Sequence, residues 1–166
     1  MKRNNHGFSL IEIVVVIAVL AILVGGSFVA YSVVRSAAAG EIAETVGTGM
    51  AEIRMKTMTQ VADGGWSLEV VDGAASGRMS LIRNHDGSIT KTDTALDGFD
   101  MLYNSGVGFV PIDYFLITYE VDTGAVKKVV AGVTEQTTGT GILRVSVNGK
   151  VKDIYIYFAT GKYETK

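Results

Sequence analysis

Between Phe8 and Val34 a single residue, Glu12, carries a charge, and the rest of that stretch is almost wholly apolar. On insertion scales an ionised side chain at bilayer depth costs about 2.5–3.5 kcal/mol. The cost falls only when an opposite charge is brought to it. The chemistry open to Glu12 is therefore ion pairing. Few other residues have types or spacings suited to chemistry. Apart from His6, His85 is the only histidine, and Asn84-His85-Asp86-Gly87 reads as a solvated turn. With no cysteine in the chain, neither a thiol nucleophile nor a typical zinc site can be assembled. Asp97-Gly98-Phe99-Asp100 offers carboxylates for Ca²⁺ without the spacing of an EF-hand loop, and no metal or cofactor is expected. Gly106-Val107-Gly108 lacks the third glycine and the strand-to-helix setting of a dinucleotide site, so it reads as a flexible loop before Pro111. The chain is expected not to be an enzyme.

The apolar excess is local. From Ile13 to Val34 no residue is charged. As a helix that stretch spans about 33 Å, close to a hydrocarbon core of about 30 Å. Lys2 and Arg3 ahead of it favour a cytoplasmic N-terminus and place the chain beyond Val34 outside. With 166 residues, 48% of them hydrophobic, the chain fits one small folded domain plus this extra element. Fifteen basic against 17 acidic side chains give a net charge of −2, which becomes −4 without Lys2 and Arg3. That balance predicts no nucleic-acid partner. Lys127-Lys128, Lys150 and Lys152 read as exposed strand lysines that discourage edge pairing.

The elements that carry these residues are set by periodicity. No proline interrupts residues 8 to 60. After Arg35, Ile42, Val46, Gly49 or Met50, and Ile53 recur at helical spacing, and Thr57 and Val61 continue the line. Glu41, Glu44, Glu52, Arg54 and Lys56 lie mostly off it. One helix of about 53 residues, about 80 Å long, is predicted, ending near Asp63-Gly64-Gly65. Gly25-Gly26 is its weak point, where a bend or local melting is expected.

From Trp66 onward the pattern is that of strands and Gly-bearing turns. In ILRVSVNGKVKDIYIYF, Leu143, Val145 and Val147 alternate with polar residues. Asn148-Gly149 then suits a type I′ turn, and the return strand puts Ile154, Ile156 and Phe158 on one face. Further hairpins are predicted at Asp122-Thr123-Gly124 and Asp86-Gly87. Trp66 is assigned to the core, and Tyr155, Tyr157 and Tyr163 to half-buried strands. The expected fold class is α+β: a long N-terminal helix packed against a small antiparallel sheet.

The segment GFSLIE resembles the N-terminus of type IV pilins and the related pseudopilins. Gly7 ends a short basic leader, Phe8 is next, Glu12 lies four residues on, and an apolar helix continues from there. The likeness is specific over about residues 2 to 34 and architectural thereafter. It implies that a prepilin peptidase cuts between Gly7 and Phe8 and that the new Phe8 amine is methylated. It implies that Glu12 pairs with that amine, in its own or an adjoining subunit, during assembly. The partners it implies are copies of the chain and related pilins, prepilin peptidase, an assembly platform membrane protein, and lipid before assembly. The divisions are then 1–7 leader, 8–34 transmembrane and assembly half of the helix, 35–62 amphipathic half, and 63–166 extracytoplasmic sheet domain. The implied localisation is the cytoplasmic membrane for the precursor, then a pilus or pseudopilus at the cell surface. The chain departs from many pilins in having no proline in the apolar segment, and from Gram-negative ones in lacking a disulfide-closed loop. The second departure points to a Gram-positive source or a pseudopilin.

Three competing readings exist. A pseudopilin of a type II secretion or competence machine shares every feature named. A single-pass anchored binding domain explains the apolar length but leaves Glu12 and Gly7-Phe8 to chance. A secretory signal peptide, with Ala37-Ala38-Ala39 as the small-residue cut site, would have an apolar run of only about 7–15 residues and no Glu12.

Overall fold

The structure is a computed structural model that describes residues 10–59 and 65–166, with the side chains of 26–32, 34–36 and 74 outside the description. The chain divides into two compact units, Met1–Arg35 and Ser36–Lys166.

Helix α1, Leu10–Thr59, is the one helix among the described residues and is 50 residues long. It runs through Gly25 and Gly26 without a break, because two glycines weaken a helix by no more than about 1 kcal/mol each. Within the second unit its buried positions are Ala39, Ile42, Ala43, Val46, Met50 and Ile53, the three- and four-residue spacing of one apolar stripe. Thr57 continues that stripe and is 1% exposed. Val61 lies outside the described residues.

Among the described residues ten strands come after the helix: β1 Trp66–Val71, β2 Gly73–His85, β3 Ser88–Asn104, β4 Phe109–Ile112, β5 Tyr114–Tyr119, β6 Val126–Ala131, β7 Thr134–Gln136, β8 Thr140–Val147, β9 Lys150–Tyr157 and β10 Lys162–Thr165. They form one antiparallel sheet in the order β10-β9-β8-β3-β2-β1-β5-β6-β7, with β4 also on β3. The small sheet expected from the sequence is thus a large one. Strand β3 makes this possible by changing partners along its length. Up to Phe99 it pairs with β2; from Asp100 to Asn104 it pairs with β8, and Met101 to Asn104 pair with β4.

All three predicted hairpins are present. Asn148 and Gly149 adopt φ of 51° and 81°, Asp86 and Gly87 of 49° and 75°, the doubly positive values of a type I′ turn. The β5–β6 turn holds Gly124 at φ 64°. On β8 and β9, Leu143, Val145, Val147, Ile154 and Ile156 are buried as their alternation requires, and Phe158 just past β9 is buried with them. Two helix glycines let the strands close on α1. A Cβ on Gly49 would sit 2.8 Å from the Met79 sulfur, and one on Gly47 2.5 Å from the Tyr163 ring.

Candidate functional site

Gly7 and Phe8, the expected cleavage pair, lie outside the described residues. Glu12 occupies the first turn of α1 and is exposed. It forms no ion pair with another described residue. Backbone N–H groups at a helix start have no intrahelical acceptor, and the helix dipole is positive there, so a carboxylate is favoured by about 0.3–1 kcal/mol. That is too little to balance transfer of the charge into an apolar medium. In such a medium the carboxylate would need a further cation.

Every described side chain from Leu10 to Gly25 is exposed, Leu10 by 81% and Ile22 by 74%. A helix apolar on all sides needs apolar surroundings on all sides. Exposed apolar surface of this extent marks a contact with protein or lipid. Among the described residues no helix is long and apolar enough to cross a membrane. Val33, near the end of the same uncharged run, is 63% exposed as well.

In the second unit the remaining candidates are dispersed. Asp97 lines a groove with Ala38, Glu41 and Ile42 of the helix, while Asp100 lines a different cleft. Among the described residues no three or more His, Cys, Asp or Glu side chains are grouped to hold a metal ion. His85 ends β2 beside the exposed Asp86-Gly87 turn, with Nε2 3.3 Å from an Asp86 oxygen. In the loop before Pro111, the Asn104 side-chain oxygen accepts from the N–H groups of Gly106 and Gly108. Lys128 is paired with Glu135 at 3.7 Å.

One expectation is corrected. Trp66 is half-buried rather than core. Lys56 lies 4.5 Å and Arg83 5.7 Å from the centre of its ring, so it caps the core beneath two cations. Arg54, beside the apolar stripe, ties the helix to two turns, which the sequence did not signal. Its Nε donates to the Gly124 carbonyl at 2.8 Å and its Nη2 to the Thr160 carbonyl at 3.1 Å. Burial of Tyr119 pushes its hydroxyl pKa above the ordinary tyrosine value, and the nearby Arg54 charge partly opposes this.

No curated protein and no solved structure matches the chain. The match that is found covers the N-terminal segment alone. Residues 2–28 of this chain are a prokaryotic N-terminal methylation motif, the cleavage motif of type IV prepilins.

Proposed function

We propose that this protein is a type IV pilin-like structural subunit, made as a precursor anchored in the cytoplasmic membrane and assembled into a filament after processing. Cleavage falls between Gly7 and Phe8, and the Phe8 amine is methylated. The motif at residues 2–28, placed directly on an apolar helix, is the observation that carries this reading. The amine created on Phe8 lies about one helical turn from Glu12, so the two charges sit at similar depth. Their pairing supplies the cation that an apolar environment demands of Glu12. It also fixes register, since a subunit docked out of step leaves both charges buried and alone. Exchanging lipid for neighbouring helices brings little hydrophobic gain, so close packing and the charge pair decide which arrangement forms. The sheet domain, outside the membrane, faces outward in the filament, and its role is structural rather than catalytic.

The test is Glu12→Ala in the full chain beside wild-type subunits. The variant is cut normally and stays in the membrane fraction, absent from sheared filaments. Incorporation equal to wild type would refute the role given to Glu12.

A further inference from the structure

Along β3 every residue from Ser88 to Ala95 is exposed, Ile89 by 64%. On one side this stretch pairs with β2, from Ser88 opposite His85 to Ala95 opposite Arg78, with no register shift. On the other side β8 joins β3 only from Asp100 onward, so among the described residues nothing pairs with this edge. The direction of its backbone groups follows from the turn. Asp86 and Gly87 form a two-residue loop with both φ angles positive, so His85 and Ser88 exchange hydrogen bonds, and every second pair along the ladder does the same. Thr90, Thr92 and Thr94 therefore direct their N–H and C=O groups at β2. Those of Ile89, Lys91, Asp93 and Ala95 point outward. An open edge of this length is a template for another strand.

Side chains decide which strand fits. Lys91 and Asp93 stand on one face of the sheet. Glu69 of β1 takes both nearby cations, Lys91 at 3.2 Å and Arg78 at 3.8 Å. Asp93 is exposed and forms no ion pair with another described residue. An antiparallel copy of the same edge, centred on Thr92, sets each Asp93 opposite a Lys91. The Lys91 side chain, 44% exposed, then lies between Glu69 of its own chain and Asp93 of the second copy. Thr90 meets Thr94, Thr92 meets Thr92 and Ile89 meets Ala95, pairs that a sheet accepts. Outward backbone groups meet outward groups, for about eight hydrogen bonds. Sliding by two residues either way puts lysine opposite lysine or aspartate opposite aspartate, which opposes pairing. Sliding by one leaves the hydrogen-bonding groups out of step.

We infer that the Ser88–Ala95 edge pairs with the same edge of a second copy of this chain, antiparallel and centred on Thr92, joining two sheets into one. The contact is isologous and closes on two copies, so it extends no filament. It belongs to the folded domain and goes beyond the filament reading above. The two copies run in opposite directions, so where filaments form the second copy comes from a different one.

The chain has no native cysteine, so introduced thiols report proximity directly. In the proposed register Thr92 faces its own counterpart with Cα atoms about 4.5 Å apart, inside the range of about 4.4–6.8 Å that a disulfide spans. Thr90 and Thr94 each lie about 13 Å from their own counterparts. The full chain in detergent, carrying Thr92→Cys, is expected to give a covalent dimer on mild oxidation and nothing larger. Thr90→Cys and Thr94→Cys stay monomeric alone and form dimers when mixed. A Thr92→Cys chain that stays monomeric, that links to a different protein in cells, or that links no better than the other two would overturn the inference while leaving the pilin reading intact. Adding Asp93→Lys to Thr92→Cys sets lysine opposite lysine and lowers the dimer yield; an equal yield would overturn the register. Independently, amide exchange of the wild type at Ile89, Lys91, Asp93 and Ala95 slows as protein concentration rises, whereas that at Thr90, Thr92 and Thr94 is slow throughout. Exchange at the first four that ignores concentration would also count against the contact.

Discussion

A handful of side chains carries the account. If cleavage falls between Gly7 and Phe8 as proposed, a bulky side chain at the cut should block the peptidase, so Gly7→Val leaves the precursor uncut, read as the intact mass of the whole chain; normal cleavage would contradict the assigned cut. Glu12 was legible in the sequence because a lone carboxylate in an apolar run has few uses. Asp72 was not legible, since the groups around it, Asp100, the Met101 N–H and Asp113, lie far along the chain from it. Its carboxyl pKa is raised above 3.8, so the folded state holds a proton that the unfolded chain has already lost. Stability therefore declines as pH rises from about 3.8 through the raised value. Asp72→Asn keeps an acceptor for the Met101 N–H and removes the charge. Its melting temperature should exceed wild type at pH 7 and match it near pH 3; equal values at pH 7 would contradict the burial argument.

At the scale of elements, the helix stripe and three hairpins were readable because each has a local signature. Residues such as Ile42, Val46 and Ile53 repeat at helical spacing, and Asn148-Gly149 and Asp86-Gly87 accept positive φ. Strands β4, β7 and β10, at three or four residues each, are too short for alternation to register. The partner change within β3 has no sequence mark either. The acceptors of Arg54 were not legible for a related reason: they lie 70 and 106 residues away in the chain. Arg54→Ala removes two hydrogen bonds from a charged donor, each worth about 1.5–3 kcal/mol when intact. It should lower the melting temperature and speed amide exchange at Glu120 and Gly124, whose N–H groups close that turn. Unchanged exchange there would mean that the turn holds itself. Gly47→Ala drives a methyl against the Tyr163 ring. Overpacking of this kind costs about 1–3 kcal/mol, and a melting temperature equal to wild type would show that β10 moves freely.

For the whole molecule, the two units have opposite needs. The second buries its apolar residues internally, from Ala39 on the helix to Phe158 beyond β9. The first leaves Leu10 to Val24 uncovered and is satisfied only by lipid or by other chains. One polypeptide that must exchange one apolar environment for another, with a single carboxylate to set the register, fits a subunit held in a membrane and then stacked in a filament. The proposed course begins with removal of the first seven residues. The most direct test is the intact mass and N-terminal fragmentation of the protein recovered from cells. A chain beginning at N-methylated Phe8 is the predicted result, and a chain beginning at Met1 or Gly40 would contradict the account.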